Sequence, residues 1–356
     1  VARISGPILF LIVYPVAVLF VVSVPVDPEF YFRSTRVIPW PQENRTAAHS
    51  YYPEAIPWSA FGRVGLLSDT GEILAIRRVT GESPVSRYGF LEMGRAEQGA
   101  AFLDWSGALV SFFPKSASVF LAGSYLIQVT ALENTLRFWT LDGDFLGSHS
   151  SGAPILGIGI NAFADAVRVS VPYLDGTIEL FVVEPDRAVN SGSFSLNPTV
   201  VSETYPVSDD SVIVSSGEPV PVVSLFSDVD IGKASMVWES GDDVQDPGFS
   251  ALIRIDDTYF ARQSGTVLRS IHVQSGKTSV LSNRFSGEAD RIFFDPSGTI
   301  FSVQKYDEKT VLTVFGVAPG NPVEFGWNDA ETILNGRETF IVIRAVGLQV
   351  LEYGFE

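Results

Sequence analysis

The chain has 356 residues, a formal net charge of −17, no cysteine, two methionines, 26 phenylalanines and 31 glycines. The charge repels phosphates, which excludes nucleic acid as a partner, and it opposes lying flat on an anionic lipid surface. The lack of cysteine removes disulfides, thiolate metal sites and lipid modification of an N-terminal Cys. Many Gly and Phe with few Met suit β structure with tight turns.

The first element is an uncharged stretch from Ile4 to Val26, flanked by Arg3 on one side and by Asp27 and Glu29 on the other. As a helix it would be about 34 Å long, enough to cross a hydrocarbon core of about 30 Å. The pattern predicts a single transmembrane helix, an uncleaved anchor. A cleaved signal peptide is the alternative, although Val21 and Ser23 match the A-x-A cleavage pattern poorly. Pro15 argues against a buried helix of a soluble body, where it costs about 3 kcal/mol, while spanning helices tolerate it. Arg3 favours a cytoplasmic N-terminus, so the remainder is expected on the extracytoplasmic side.

Residues 27–60 read as a Pro- and aromatic-rich connector. Ile38-Pro39-Trp40 recurs as Ile56-Pro57-Trp58, with Pro41, Tyr51, Tyr52 and Pro53 between them. Proline fixes φ and disfavours helix in the preceding residue, so an extended arm is expected. Trp40 and Trp58 either anchor the arm on the body or line a partner-binding groove. Asn44-Arg45-Thr46 matches a glycosylation acceptor, which matters only in a eukaryotic secretory route.

From Phe61 to Glu356, turn signals precede short apolar runs again and again. They are Asp69-Thr70-Gly71, Trp105-Ser106-Gly107, Leu141-Asp142-Gly143, Leu174-Asp175-Gly176, Gln263-Ser264-Gly265, Asp295-Pro296-Ser297-Gly298 and Leu334-Asn335-Gly336. Successive glycines lie 36, 36, 33, 89, 33 and 38 residues apart, and the long interval has room for one more unit at Ser216-Gly217. Such turns supply the positive φ of hairpins, and the β-branched runs after them supply strands. In one run Val267, Arg269, Ile271 and Val273 share a face, with Leu268, Ser270 and His272 on the other. Repeats of about 40–45 residues with four strands each are the pattern of propeller blades. Dividing the body by about 42 residues predicts an all-β propeller of seven blades, with six or eight as alternatives. A pair of β-sandwiches is the competing architecture, but it gives no reason for this longer interval.

The segment Thr135 to Gly143, Thr-Leu-Arg-Phe-Trp-Thr-Leu-Asp-Gly, resembles the third-strand end of a WD40 blade. Ile292 to Phe301 is similar to the strand–turn–strand of NHL and related propellers. The Gly-His and Trp-Asp pairs of WD40 repeats are missing, and with them the His–Asp networks. The resemblance implies a ring with a central channel and loop-rich faces used for binding.

Between Glu203 and Asp246 ten acidic residues face one base, Lys233. Asp209, Asp210, Asp242, Asp243 and Asp246 are candidates for docking a basic partner, the plainer reading being solvated loops. Asp228 and Asp230, two apart before Gly232, are weak candidates for a metal. They lack the further oxygen ligands and terminal Glu of an EF-hand loop. His49, His149 and His272 are too scattered to define a metal site. Gly147-Ser148-His149-Ser150-Ser151-Gly152 is a turn-rich loop, not a G-x-S-x-G elbow. No phosphate-binding loop and no G-x-G-x-x-G appear, and Gly157-Ile158-Gly159 lacks the third glycine. No cofactor and no catalytic residue is predicted.

Two functions follow. The first is a membrane-tethered scaffold that binds a protein or envelope component. The second is a carbohydrate-active propeller, glycosidase or lyase, with carboxylates at the channel mouth. A sensor signalling through the anchor is a third, weaker reading, because little chain lies on the other side to receive a signal.

Overall fold

The computed structural model describes residues 30–41, 55–80, 83–93, 99–114, 117–162, 166–196, 201–216, 222–230, 232–240, 250–254, 258–264, 267–282, 288–294, 299–306, 309–315, 323–336 and 339–355. β1 (Phe30–Pro39) is the first strand among the described residues. β2 (Ile56–Ala60), β3 (Arg63–Leu67) and β4 (Ile73–Arg78) form the first sheet. β5 (Gly89–Met93), β6 (Ala100–Asp104) and β7 (Leu109–Phe113) form the second. β8 (Ser118–Ala122), β9 (Tyr125–Thr130), β10 (Thr135–Thr140) and β11 (Phe145–Ser150) form the third, with one 3-10 turn at Ala131–Glu133. β12 (Gly159–Ala162), β13 (Val167–Pro172), β14 (Thr177–Glu184) and β15 (Arg187–Ser195) form the fourth. β16 (Val201–Ser208), β17 (Ser211–Ser216), β18 (Val222–Asp230) and β19 (Lys233–Ser240) form the fifth. β20 (Ser250–Arg254), β21 (Tyr259–Ser264), β22 (Val267–His272) and β23 (Thr278–Ser282) form the sixth. β24 (Glu288–Phe294), β25 (Ile300–Tyr306), β26 (Lys309–Phe315) and β27 (Val323–Trp327) form the seventh. β28 (Ala330–Asn335), β29 (Thr339–Arg344) and β30 (Gly347–Phe355) join β1 in the eighth.

Every sheet is an antiparallel meander, and only the eighth departs from chain order. There β1 pairs with β30 from Phe30↔Phe355 to Pro39↔Gly347, so distant parts of the chain share one sheet. Among the described residues, eight apolar clusters link each sheet to the next. Phe90 and Trp105 of the second sheet region pack with Val64 and Leu66 of the first. Val212 and Val214 of the fifth pack with Ile178 and Leu180 of the fourth. The last link closes the circle, with Leu334, Ile341 and Ile343 of the eighth sheet packed on Trp58, Leu67 and Ile76 of the first. This ring of sheets is consistent with a β-propeller, and it does not match a pair of sandwiches.

Burial on both faces explains the sequence of the middle strands. β9, β26 and β29 read as nearly unbroken buried runs. In β22 the predicted alternation is real, yet both faces are covered. Ile271 and Val273 pack toward the fifth sheet, and Leu268 toward the seventh. Each large buried aliphatic side chain contributes roughly 1.5–3 kcal/mol. The outer strands are wetter, β11 most plainly.

The sheet count differs from the seven that body length suggests. Eight sheets are seen among the described residues, and each of the eight marked turns, Ser216-Gly217 included, falls in a different one. The length misleads because β1 and β2 come from the 27–60 stretch and because, among the described residues, the first two sheets have three strands. The marks also fall on different hairpins. Gly143 lies between β10 and β11, Gly176 between β13 and β14, and Gly336 between β28 and β29.

A recurring contact fixes the spacing of sheets. The last hairpin turn of a sheet reaches back to the last strand of the sheet before it. Arg77 of β4 donates to Ser106 O in the β6–β7 turn. Gly232 N donates to Ser193 O of β15 at 2.8 Å, and Trp238 Nε1 of β19 donates to Val273 O at 2.7 Å. Among the described residues no helix is long and apolar enough to cross a membrane. Residues 4–26 lie outside them.

Candidate functional site

β7 presents its edge to solvent. Its sequence, Leu-Val-Ser-Phe-Phe, is apolar on both faces, and among the described residues β6 is its only paired strand. Leu109 is 63% exposed and Phe112 59% exposed. On the other side of the sheet, β5 is covered by the chain entering it. Val85 bridges Phe90, and Leu91 N donates to Pro84 O at 2.9 Å.

Between β7 and the third sheet lies a cleft of about 750 Å³. One wall is Val110, Ser111, Phe112, Phe113 and Pro114 in unbroken succession. The first four belong to β7, which bulges at Val110, and Pro114 follows its end. The opposite wall comes from β9, β10 and β11, through Gln128, Arg137, Trp139 and Phe145. The turn at Asp142 and Gly143 stands against the middle of β7, where a Cβ on Gly143 would lie 3.1 Å from Ser111 Oγ and 3.7 Å from Val110 O.

Aromatic rings frame the opening. Phe145, 54% exposed, stands edge-on to Trp139 with centroids 5.0 Å apart, and Phe113 meets Trp139 edge-on at 6.4 Å. Trp139 Nε1 is covered and has no acceptor among the described residues. Arg137 is paired with Glu133 at 3.1 Å. Among the described residues no side chain pairs with the Asp142 carboxylate. The lining thus carries one cation, Arg137, and one carboxylate, Asp142.

The residues singled out in the sequence fall elsewhere. Trp58 is 2% exposed in the first core, and Trp40 stacks on it. Asp209 and Asp210 form the β16–β17 turn. Asp209 meets Arg168 of β13 at 2.5 Å. Asp210 accepts from Ser208 Oγ at 2.7 Å and Ser211 Oγ at 3.0 Å, and these hydroxyls hold its carboxyl below the usual range. Asp228 sits at a bulge in β18 with φ 52°, and Asp230 is paired across the hairpin with Lys233. The Asp210 and Asp228 region is one place, since Val229 N donates to Asp210 O at 3.0 Å. Among the described residues no group of three or more His, Asp or Glu side chains could hold a metal. Asp242, Asp243, Asp246, His49 and Asn44 lie outside the described residues.

One polar cluster joins the third and fourth sheets. Tyr173 Oη donates to Glu179 Oε2 at 2.6 Å, and His149 Nε2 lies 2.8 Å from the same oxygen. The ring of Phe181 meets His149 edge-on at 5.2 Å. Burial first, then the Glu179 carboxylate, pushes the Tyr173 phenol well above its ordinary range. His272 takes a local role, with Nδ1 3.3 Å from Ser275 N in the β22–β23 turn.

Sequence reasoning passed over Phe112, Phe145, Arg137, Trp139 and Asp142. The available signal was the failure of 109–113 to alternate. An outer strand normally offers polar residues to solvent, and this one offers Leu and Phe.

No family model matches the chain, and no curated protein matches it. Solved structures do match. The chain is similar to one in a crystal structure of a mitotic checkpoint complex, at 12% identity and a TM-score of 0.46, over 91% of this chain and 96% of that one. A likeness of that size carries no argument. The class of the protein, all-β with its sheets in a ring consistent with a β-propeller, rests on the sheet order and the closing cluster.

Proposed function

We propose that the chain is an eight-bladed propeller that serves as a docking scaffold for a protein partner. Residues 4–26 hold it to a membrane, with the ring on the extracytoplasmic side. The observation that carries the docking reading is the cleft beside β7, with Phe112 and Phe145 exposed at its mouth. Large exposed aromatic side chains rimming a recess are a common mark of protein interaction sites. The length and neutrality of residues 4–26 support the tether.

The test is photo-crosslinking in native membranes. A benzoyl-phenylalanine at position 112 is expected to give one discrete protein adduct. The same group at Leu174, 64% exposed on a β13–β14 turn, is expected to give none. Identical adducts from both positions, or no adduct from position 112, would overturn the docking reading.

A further inference from the structure

We infer that the cleft takes a tyrosine side chain from a loop of its partner, with the ring between Phe112 and Phe145 and the hydroxyl inward against Gln128 and Arg137. The inference rests on the docking reading above and deepens it.

The wall made by the third sheet carries unmet polar groups. Gln128 of β9 is 3% exposed and lines the cleft, and its carboxamide has no hydrogen-bond partner among the described residues. Arg137 stands directly across from it on β10, so the two side chains project from the same face. Glu133 meets Arg137 through Nη2, which leaves other N–H groups of the guanidinium to offer. Trp139, the next residue on that face of β10, holds a covered indole N–H without an acceptor among the described residues. Buried polar groups are nearly always paired, so an unpaired one at the floor of a cleft calls for a ligand that pairs with it.

The cleft therefore has a polar floor and an aromatic mouth. Phe112 and Phe145 are more than half exposed, while Gln128 is covered. The occupant that matches has an apolar shaft and a polar tip, the build of the side chains that anchor interfaces. Charge narrows the choice. Arg137 and Asp142 are the charged residues of the lining and oppose each other in sign, so a neutral tip fits better than an acid or a base. A phenol hydroxyl both donates and accepts, so it can accept from Arg137 while donating to the carbonyl oxygen of Gln128. An indole only donates and would leave the guanidinium unmet. A phenylalanine would leave Gln128 as it stands.

The occupant enters as a side chain and not as a strand. β7 bulges at Val110, and the Asp142-Gly143 turn stands against Val110 and Ser111, so the backbone of that wall is not open to pairing. A sugar carries hydroxyls on every edge and would set some of them against the phenyl rings of the mouth.

The experiment uses the full chain and a displayed library of short disulfide-closed peptide loops, selected on the wild-type protein and counter-selected on Phe112→Asp. Tyrosine is expected to be enriched at one position of the loop. In the best loop, replacing that tyrosine by phenylalanine is expected to weaken binding about tenfold, from loss of the hydroxyl's hydrogen bonds. Gln128→Met keeps the length of the side chain and removes its amide. On that variant the two loops should bind within about twofold of each other. Arg137→Met, at a more exposed position, should narrow the difference likewise, and it serves where Gln128→Met fails to fold.

Enrichment of no residue, or of one other than tyrosine, overturns the inference. So does an equal cost of losing the hydroxyl on the wild type and on the folded variants, because the hydroxyl then does not reach the floor. A ring dimer that Phe112→Asp dissolves would make a second copy the occupant, and a neutral oligosaccharide that binds the wild type but not Phe112→Asp would make it a sugar; either result overturns the tyrosine. If a partner still crosslinks at position 112 while the tyrosine loops fail, the docking reading stands alone. If neither is seen, both fall.

Discussion

Trp40 lies stacked on Trp58, with ring centroids 5.0 Å apart and planes 24° from parallel. The pair joins the end of β1 to β2, and so the eighth sheet to the first. Trp40 Nε1 donates to Arg344 O at 3.0 Å, and the Arg63 guanidinium sits 5.4 Å over the Trp40 ring. The repeated Ile-Pro-Trp of the sequence thus marks the seam of the ring.

Trp40→Ala should therefore loosen ring closure. Removing a partly buried indole and its hydrogen bond is expected to lower the unfolding free energy by about 2–3 kcal/mol. Trp40→Phe keeps the stacking and should lose about half as much. Urea denaturation followed by tryptophan fluorescence measures both. An unchanged midpoint for Trp40→Ala would place the seam elsewhere.

The turn contacts between sheets give a contrast of glycines. Gly276 has φ +63°, and a Cβ there would lie 2.6 Å from the Trp238 ring. Gly276→Ala should cost about 2 kcal/mol through backbone strain and displaced packing. Gly152 has nothing within 4 Å of an added Cβ, so Gly152→Ala should change stability by less than about 0.5 kcal/mol. Equal effects of the two in thermal denaturation would mean that the turn does not space the sheets.

The Tyr173 phenol predicts a loss of stability in alkali. Its folded-state pKa is raised above the ordinary 10.0, so its contribution is complete below about pH 10 and is lost as pH rises beyond it. Stability followed from pH 8 to 11 should fall more steeply for the wild type than for Tyr173→Phe. Parallel profiles would show that the phenol is not held by burial and Glu179.

The proposed tether predicts that the chain without residues 1–26 leaves the membrane fraction as a folded protein. Among the described residues, every strand of the eight sheets lies beyond residue 29. The truncated chain is expected in the soluble fraction with the circular dichroism of the full chain. Aggregation of the truncated chain would mean that the leader belongs to the ring.

Much of the fold was legible because it repeats. Each marked turn fell in its own sheet, and β10 is the third strand of its sheet, as the WD40 resemblance implies. Length favoured seven sheets, with six or eight as alternatives, because Phe30–Pro39 and Ile56–Ala60, with prolines at 39 and 57, read as a connector. Proline in fact suits their places. Pro39 ends β1, on the edge of the eighth sheet, and Pro57 lies in β2, at the edge of the first. The cleft was not legible: Thr135 to Gly143 was read as a blade strand and turn, and nothing in it marks the β7 residues that it faces. The cleft exists only where the edge of β7 faces residues 128–145, and pairing between sheets is not encoded in local spacing. Asp209 and Asp210, docking candidates by charge, meet Arg168 and the hydroxyls of Ser208 and Ser211, contacts that no local spacing announces.

The chain's lack of cysteine permits the most direct test of the docking account. Phe112→Cys and Leu174→Cys each place a single thiol on the ring, and maleimide labelling rates can be compared in native membranes and in the purified protein. The account predicts that position 112 is labelled slowly in membranes and rapidly after purification, while position 174 is labelled rapidly in both. Rapid labelling of position 112 in native membranes would show that nothing occupies the cleft.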